Sequence, residues 1–207
     1  GVPIGFFTAV FLSKVANKKV KAVVGAAVNL LAGIPSVVYG LVGMLVLVPG
    51  IRILFNLPDG ASLLASIIVL AVMILPSIIK MSMTALDAVP REYEEGSLAL
   101  GATTTETYFK VSVPAAKSGI AAAVVLGVGR AIGETMAVIM VAGNVANMPT
   151  LFGSVRFLTT AVASEMSYSS PGSLQRNALF SIALVLFLFI MLINATLNFL
   201  LKRDKEK

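Results

Sequence analysis

The chain has 207 residues, of which 57% are hydrophobic and 13% charged, with a mean hydropathy of +0.95 and a formal net charge of +6. A soluble core needs less apolar surface than this, and long apolar runs between short charged segments are the pattern of a chain whose solvent is lipid. Cysteine and histidine are both absent, which excludes disulfides, thiolate or imidazole metal sites and serine–histidine hydrolysis, so enzyme chemistry has no obvious residues to run on.

The first apolar run, Gly1 to Leu12, is shorter than the roughly 20 residues that cross a bilayer core. It begins without Met and without a preceding basic region. It therefore reads as the second half of a span, and at least one more helix is expected upstream. Four further runs have the length of a span: Ala26 to Val48, Ala61 to Ile79, Ser118 to Ala142 and Asn177 to Leu201. With the first run they make about five spans of an all-α, polytopic transmembrane bundle, residues 1–207 forming one domain.

Basic residues collect in cytoplasmic loops. Lys14, Lys18, Lys19 and Lys21 follow the first run, Lys80, Arg91, Lys110 and Lys117 lie in or beside the central loop, and Lys202, Arg203, Lys205 and Lys207 form the tail, against Arg52, Arg156 and Arg176 on the other side. The central loop and the C-terminus are thus assigned to the cytoplasm. The positive charge sits beside membrane ends with no aromatic–basic module, so nucleic acid is not needed to explain it. Lys80, at a cytoplasmic helix end, reads as a snorkelling side chain rather than a substrate ligand.

Within the second run, Gly33-Ile-Pro-Ser-Val-Val-Tyr-Gly40 carries a helix breaker. Pro35 frees backbone groups that neighbours or a water-lined cavity must satisfy, and Ser36 and Tyr39 supply polar atoms there. Ser36 and Gly40 also form a small-xxx-small pair that admits a second helix, so packing explains the stretch as well as transport does.

The cytoplasmic loop, residues 85–118, has more structure than a connector needs. Pro90 follows a break at Val89 and opens a helix through Arg91, Glu92, Glu94 and Glu95, which Gly101 is placed to end. Thr103 and Glu106 have capping-box spacing, and Pro114 leads into the next span. Two short helices with exposed charges and the apolar anchors Tyr93, Leu98, Leu100, Tyr108 and Phe109 could plug a groove on a partner; the alternative is a solvated hairpin that docks on nothing.

In the following run, Arg130 and Glu134 lie on one face of the span at i, i+4, with Thr135 adjacent and Asn144 near the outer end of the same helix. A charge at that depth costs at least about 2.5 kcal/mol, so chains keep such residues mainly where they bind, conduct or pair. Arginine holds its charge at any pH and offers a planar fork of donors to two oxygens of a tetrahedral oxyanion. Arg130 is the candidate anion contact and Glu134 its counter-ion or gate, the competing reading being an inert ion pair between helices. Gly129 and Gly133 add a GxxxG face that should admit a neighbouring helix beside the pair. Gly127-x-Gly129-x-x-x-Gly133 is not a dinucleotide loop, since it lies inside a span with no preceding strand.

The segment Val145 to Arg176 combines an apolar stretch, Phe157 to Ala163, with Ser169, Ser170, Pro171 and Gly172, and predicts a short helix or re-entrant element near the outer membrane surface. Asn194 and Asn198 share a face of the last span, where interhelical hydrogen bonding is the expected role of such amides.

Glu95-Gly96-Ser97, Gly101, then Val111, Val113 and Pro114 resemble the EAA loop of ABC importer permeases, with glycine and serine in place of the generic pattern's two alanines and valines at its two later apolar positions. The Gly33 to Gly40 stretch and Arg130-Ala-Ile-Gly-Glu-Thr-Met-Ala137 resemble signatures of the phosphate-importer permeases, and the second is closer to the PstC branch of that family than to PstA. The resemblance covers essentially the whole chain. It implies a cytoplasmic-membrane permease of a bacterium or archaeon that pairs with a second homologous permease, and two ATPase subunits that carry ATP and Mg. It also implies an extracytoplasmic phosphate-binding protein facing the outer loop. Glu94, Glu95, Gly96, Ser97, Gly101 and Pro114 would form the ATPase-coupling segment, and Arg130, Glu134, Thr135, Ser36, Tyr39 and Asn144 the substrate path. No GxxxxGK[ST] occurs in the chain, so hydrolysis would belong to a separate subunit, and no cofactor is expected on this one. The alternatives are a permease for molybdate or sulfate, and an ATP-independent channel or secondary carrier in which Arg130 and Glu134 form a selectivity ring or proton relay.

Overall fold

The computed structural model describes the backbone of residues 1–205 and the side chains of residues 1–196. Among the described residues the chain is helical, apart from loops and one isolated bridge between Gly143 and Val155. The tail cations Lys202, Arg203, Lys205 and Lys207 and the amide of Asn198 lie outside the described side chains.

Helix α1 (Val2–Val10) has Pro3 in its first turn, where a missing N–H costs nothing, and widens into a π-helical turn over Phe11–Val15. Asn17 opens α2 (Lys18–Gly33) by accepting the Val20 N–H on Oδ1 at 2.9 Å. α2 stops at Gly33 because Ile34 precedes a proline, which drives it out of the helical region. Pro35, extended at φ −60° and ψ 144°, then serves as N-cap of α3 (Ser36–Val42). A second π-helical turn (Gly43–Leu47) joins α3 to α4 (Val48–Leu54) in 19 residues of apolar helix. The expected break at Pro35 is present, and its consequence is that Ala26 to Val48 is not one span; the helix long enough to cross is Ser36–Leu54.

The third run extends beyond its expected end at Ile79, as α5 (Leu63–Asp87). After it come α6 (Arg91–Ala99), α7 (Thr104–Thr107), a third π-helical turn (Tyr108–Ser112), α8 (Val113–Ala115) and α9 (Lys117–Gly133), with a 71° bend between the helix Thr104–Ala115 and α9. The run expected as one span to Ala142 is interrupted: Glu134 and Thr135 are not helical, and α10 (Met136–Val141) starts afresh. α11 (Leu158–Glu165) is a short helix in the segment where one was expected, and α12 (Leu174–Lys205) overshoots the predicted last span at both ends. Among the described residues three helices have the length and apolarity of a span, or four if the bent pair counts as one, and Val2–Val15 is a shorter apolar element.

By internal contacts the chain forms two compact units. The first comprises Gly1–Gly33, Ile74–Gly129 and a terminal stretch from Ala195. Its core includes Val10, Leu86, Val89 and Ala116 packed together and Leu12, Val28 and Ile79 packed together. The second comprises Ile34–Met73 and Arg130–Asn194, with Ile51, Ala65, Val69, Ala137 and Val141 buried together and Val138, Ala142 and Val155 beside them. In the second unit α3 lies against α10 closely enough that a Cβ on Gly40 would stand 2.7 Å from the Ala137 Cα, so the small residue foreseen at position 40 has a partner helix. Outward faces remain apolar, as lipid allows: Leu184 and Phe187 of α12 are 57% and 58% exposed.

Candidate functional site

All six side chains proposed for a substrate path, Ser36, Tyr39, Arg130, Glu134, Thr135 and Asn144, fall in the second unit, and all six proposed for coupling fall in the first.

Arg130 occupies the last turn of α9, where a cation meets the negative end of the helix dipole. Its side chain is exposed, and its charge acts on the phenol of half-buried Tyr39, which packs on the core around Ala137. Glu134 does not share a helical face with it, because α9 ends at Gly133. The carboxylate of Glu134 instead reaches forward and accepts the Ala137 N–H on Oε1 at 3.0 Å, capping α10 from just outside its first turn. The Glu134 carbonyl, released from the helical ladder, accepts the Thr159 hydroxyl of α11 at 3.0 Å. Thr135 is the N-cap residue of α10, and its hydroxyl donates to the Gly133 carbonyl at 3.4 Å. The arrangement is an interrupted helix whose freed polar groups are satisfied by a carboxylate and by a threonine from a distant element, as apolar surroundings require. No neighbouring helix of the described residues packs on Gly129 and Gly133: a Cβ on either would meet nothing within 4 Å, which leaves that face open.

Asn144 is not on the same helix either, since α10 ends at Val141 and both Gly143 and Asn144 take positive φ, 79° and 52°. Asparagine tolerates that conformation better than most residues. The Asn144 carbonyl accepts from Nε and Nη2 of Arg156 at 3.1 and 3.0 Å, and its Oδ1 accepts from Thr160 at 3.3 Å. Arg156 also pairs with Glu165 at the end of α11, and Gln175 donates to the same carboxylate at 3.4 Å. Main-chain bonds from Leu63 to Gly153 and from Leu64 to Leu151 hold the start of α5 to this loop. Asn144 thus forms a hydrogen-bonded corner of the loop that follows α10. Ser36 opens α3, half buried.

In the first unit the local signals hold. Pro90 is the N-cap residue of α6, and Gly101 terminates that helix region at φ +88°, where a side chain would be strained. Thr103 and Glu106 form the expected capping box, with backbone bonds of 3.1 and 3.3 Å. Lys110 donates to Glu106 at 3.0 Å and, together with the two Thr103 donors, holds its carboxyl well below the usual range, at about 2. The adjacent glutamates Glu94 and Glu95 differ. Glu95 is exposed, along with Tyr93, Leu98, Leu100 and Phe109, whereas Glu94 turns inward and accepts from Lys14 at 2.5 Å and from Ser112 at 2.7 Å on one oxygen. Burial pushes the Glu94 carboxyl up, but the Lys14 and Ser112 hydrogen bonds and the charges of Lys14 and Arg91 prevail and hold it below its ordinary value. Ser97 and buried Thr107 share a 2.9 Å hydrogen bond that joins α6 to α7, Gly96 is open on its outer side, and Pro114 sits in α8 just before the bend into α9.

Thr159, Lys14 and Ser112 were not singled out by sequence reasoning, and each acts on an acidic residue that was. Ser112 lies between the two valines of the EAA-like ending, so its neighbourhood carried a signal; Thr159 and Lys14 carried none. Among the described residues no group of three His, Cys, Asp or Glu side chains could hold a metal ion.

Residues 1–204 match the profile of the family described as binding-protein-dependent transport system inner membrane component. The chain is 46% identical to a probable ABC transporter permease protein, YqgH, of Bacillus subtilis over 92% of its own length and 63% of that relative, so it spans less than two thirds of that protein. It is 36% identical to the phosphate transport system permease protein PstC of Mesorhizobium japonicum, over 98% of this chain and 68% of that one. The PstC of Pasteurella multocida is 34% identical over 100% and 70%. In structure it is similar to an inward-facing conformation of the MetNI methionine ABC transporter, with a TM-score of 0.72, 23% identity, and 97% of this chain and 86% of that one covered; at that identity the likeness speaks for the fold.

Proposed function

The chain belongs to the binding-protein-dependent transport system inner membrane component family, and on that premise we propose that it is one permease of a heterodimeric pore that moves inorganic phosphate inward, driven by two ATPase subunits beneath it. The observation that carries the substrate is similarity to phosphate transport permeases at 34% to 36% identity along nearly the whole chain. In this reading residues 1–207 are one permease domain, residues 85–118 are its coupling loop, and the C-terminus is cytoplasmic. ATP and Mg belong to the partner ATPase, a second homologous permease completes the pore, and an extracytoplasmic phosphate-binding protein delivers the anion to the outer loop.

Arg130 meets the anion with two donors, because a permanent planar cation at the end of α9 is matched to two oxygens of a tetrahedral ion. Tyr39, Ser36 and Thr135 offer neutral polar atoms along the path, and Asn144 belongs to its outer rim. Glu134 acts as gate or counter-ion, and its capping bond to Ala137 sets a cost on moving: a swing of the carboxylate toward or away from Arg130 uncaps α10. Closure of the ATPases pulls on α6 through its exposed face, Glu95, Tyr93 and Leu98, and alternates access to Arg130. No covalent step occurs in this chain.

The test is ATP-driven uptake of radiolabelled phosphate by proteoliposomes holding the full permease pair, ATPase and binding protein, with molybdate and sulfate as competitors. Robust uptake that survives excess competitor is the expected result. Failure to move phosphate while a competitor is imported overturns the substrate, and uptake without ATPase overturns the importer class.

A further inference from the structure

We propose that Glu94 is a positioning residue that carries the movement of α6 into α1, so that the coupling helix and the first apolar helix travel as one piece. This inference rests on the permease reading above.

Glu94 lies on the inward side of α6, between exposed Glu92 and Glu95 on one side and the elements beneath on the other. Both groups that hold its Oε1 come from π-helical turns: Lys14 from Phe11–Val15 and Ser112 from Tyr108–Ser112. A π turn adds one residue to the helical repeat and re-aims the side chains within it, and such turns are kept mainly where that aim matters. Here two of them converge on a single carboxylate oxygen. The pair is also withdrawn from water, with the Lys14 side chain 10% exposed and that of Glu94 20%. Surface pairs at the same distance are worth little, but removing one partner from a shielded pair strands the other charge, so α6 cannot leave Lys14 without a penalty.

A second carboxylate repeats the stitch a turn away. Asp87, at the end of α5, accepts from Ser13 at 2.5 Å and from Lys21 at 3.0 Å, and these groups with Lys14, Arg91 and Glu94 line a polar cleft of about 540 Å³. The rings of Phe7 on α1 and Phe109 in the third π turn stand 6.5 Å apart, a further contact between α1 and this loop. The junction of α1 and α2 is thus fastened to the beginning of the cytoplasmic loop by two carboxylates. Only one of these, Glu94, sits on the helix whose opposite face is open to a partner, so it is the carboxylate through which displacement of α6 reaches α1.

The test uses the assembled transporter with its ATPase and binding protein, and measures phosphate imported per ATP hydrolysed, a ratio that a purely structural role does not move. Glu94→Gln is expected to keep ATP hydrolysis and lower that ratio about tenfold, the scale of a typical coupling free energy, while Glu94→Asp and the exchange Lys14→Glu/Glu94→Lys recover most of it. Lys14→Met should mimic Glu94→Gln, which keeps the test decisive if the latter fails to assemble. Because the chain has no cysteine, Lys14→Cys/Glu94→Cys can be bridged by a short bifunctional thiol reagent, and the bridged transporter should still import. An unchanged ratio in Glu94→Gln or Lys14→Met, or a bridge that abolishes import, overturns the proposal. Wild-type transporter that hydrolyses ATP but moves no phosphate overturns the substrate reading instead, and is recognised before any variant is made.

Discussion

The loop over residues 85–118 and the interrupted helix at Glu134 both set a glutamate to cap a short helix, yet they arrive there by different routes. Glu106 and Thr103 satisfy each other's backbone within three residues, and the motif is complete in itself. At Glu134 the carboxylate caps α10 locally, but the carbonyl freed by the same interruption is satisfied by Thr159, twenty-five positions away in α11. The first is a motif that water tolerates in any state of repair. The second is a break in an apolar run that exists only because a distant element completes it.

That contrast can be broken in order of expected effect. Gly40→Val should be the most damaging to structure, since its side chain would collide with the Ala137 backbone, which cannot yield as a flexible side chain can; a loss of about 3 kcal/mol is expected, read as a lower melting temperature in detergent. Thr159→Val keeps the shape and removes the donor to Glu134, leaving a part-buried carbonyl without that partner at a cost of about 1–2 kcal/mol, and faster amide exchange in α10 would reveal it. Gly101→Ala forces a side chain into φ +88° and should cost about 1 kcal/mol in the loop, whereas Gly101→Asp adds a charge where docking of the ATPase is proposed and should also reduce copurification of that subunit. Thr103→Ala removes one half of the capping box for about 1 kcal/mol and should leave α10 untouched.

The weakest effect is a titration. Because the Glu106 carboxyl lies below its unfolded value, its contribution to stability is complete above pH 4.5 and is lost only as pH falls toward about 2. The carboxyl carbon shift of Glu106 in the solubilised chain should accordingly begin to move only below the range in which exposed glutamates titrate. Movement together with exposed glutamates would mean that Lys110 and Thr103 do not hold it.

Much of the loop over residues 85–118 was legible because its determinants are close in sequence: Pro90 as a helix start, Gly101 as a stop and the Thr103–Glu106 box are all decided within a few residues. The helix break at Pro35 was legible too, as was the close approach at Gly40, but the run around Pro35 still reads as one span from Ala26 to Val48, whereas the helix long enough to cross begins only at Ser36. The end of α9 was not. No proline lies between Ser118 and Ala142, so helical spacing runs through the sequence unbroken and puts Glu134 on the face of Arg130, which the fold does not. Gly129 and Gly133 have the same small-residue spacing as Ser36 and Gly40, but within this chain they face open space, because spacing states what a helix permits and not what lies opposite. The split between Glu94 and Glu95 escaped the sequence for a related reason: Lys14 is eighty residues away, and only the fold brings it to one of two adjacent carboxylates.

The central claim is that Arg130 meets the transported anion, and the most direct test compares Arg130→Ala and Arg130→Lys with wild type for phosphate uptake in the assembled, ATP-hydrolysing transporter. The account predicts collapse of uptake in Arg130→Ala, and partial activity with weaker phosphate affinity in Arg130→Lys, which keeps the charge and loses the planar fork. Wild-type uptake by Arg130→Ala in an intact complex would contradict it, and would make the arginine a structural end to α9.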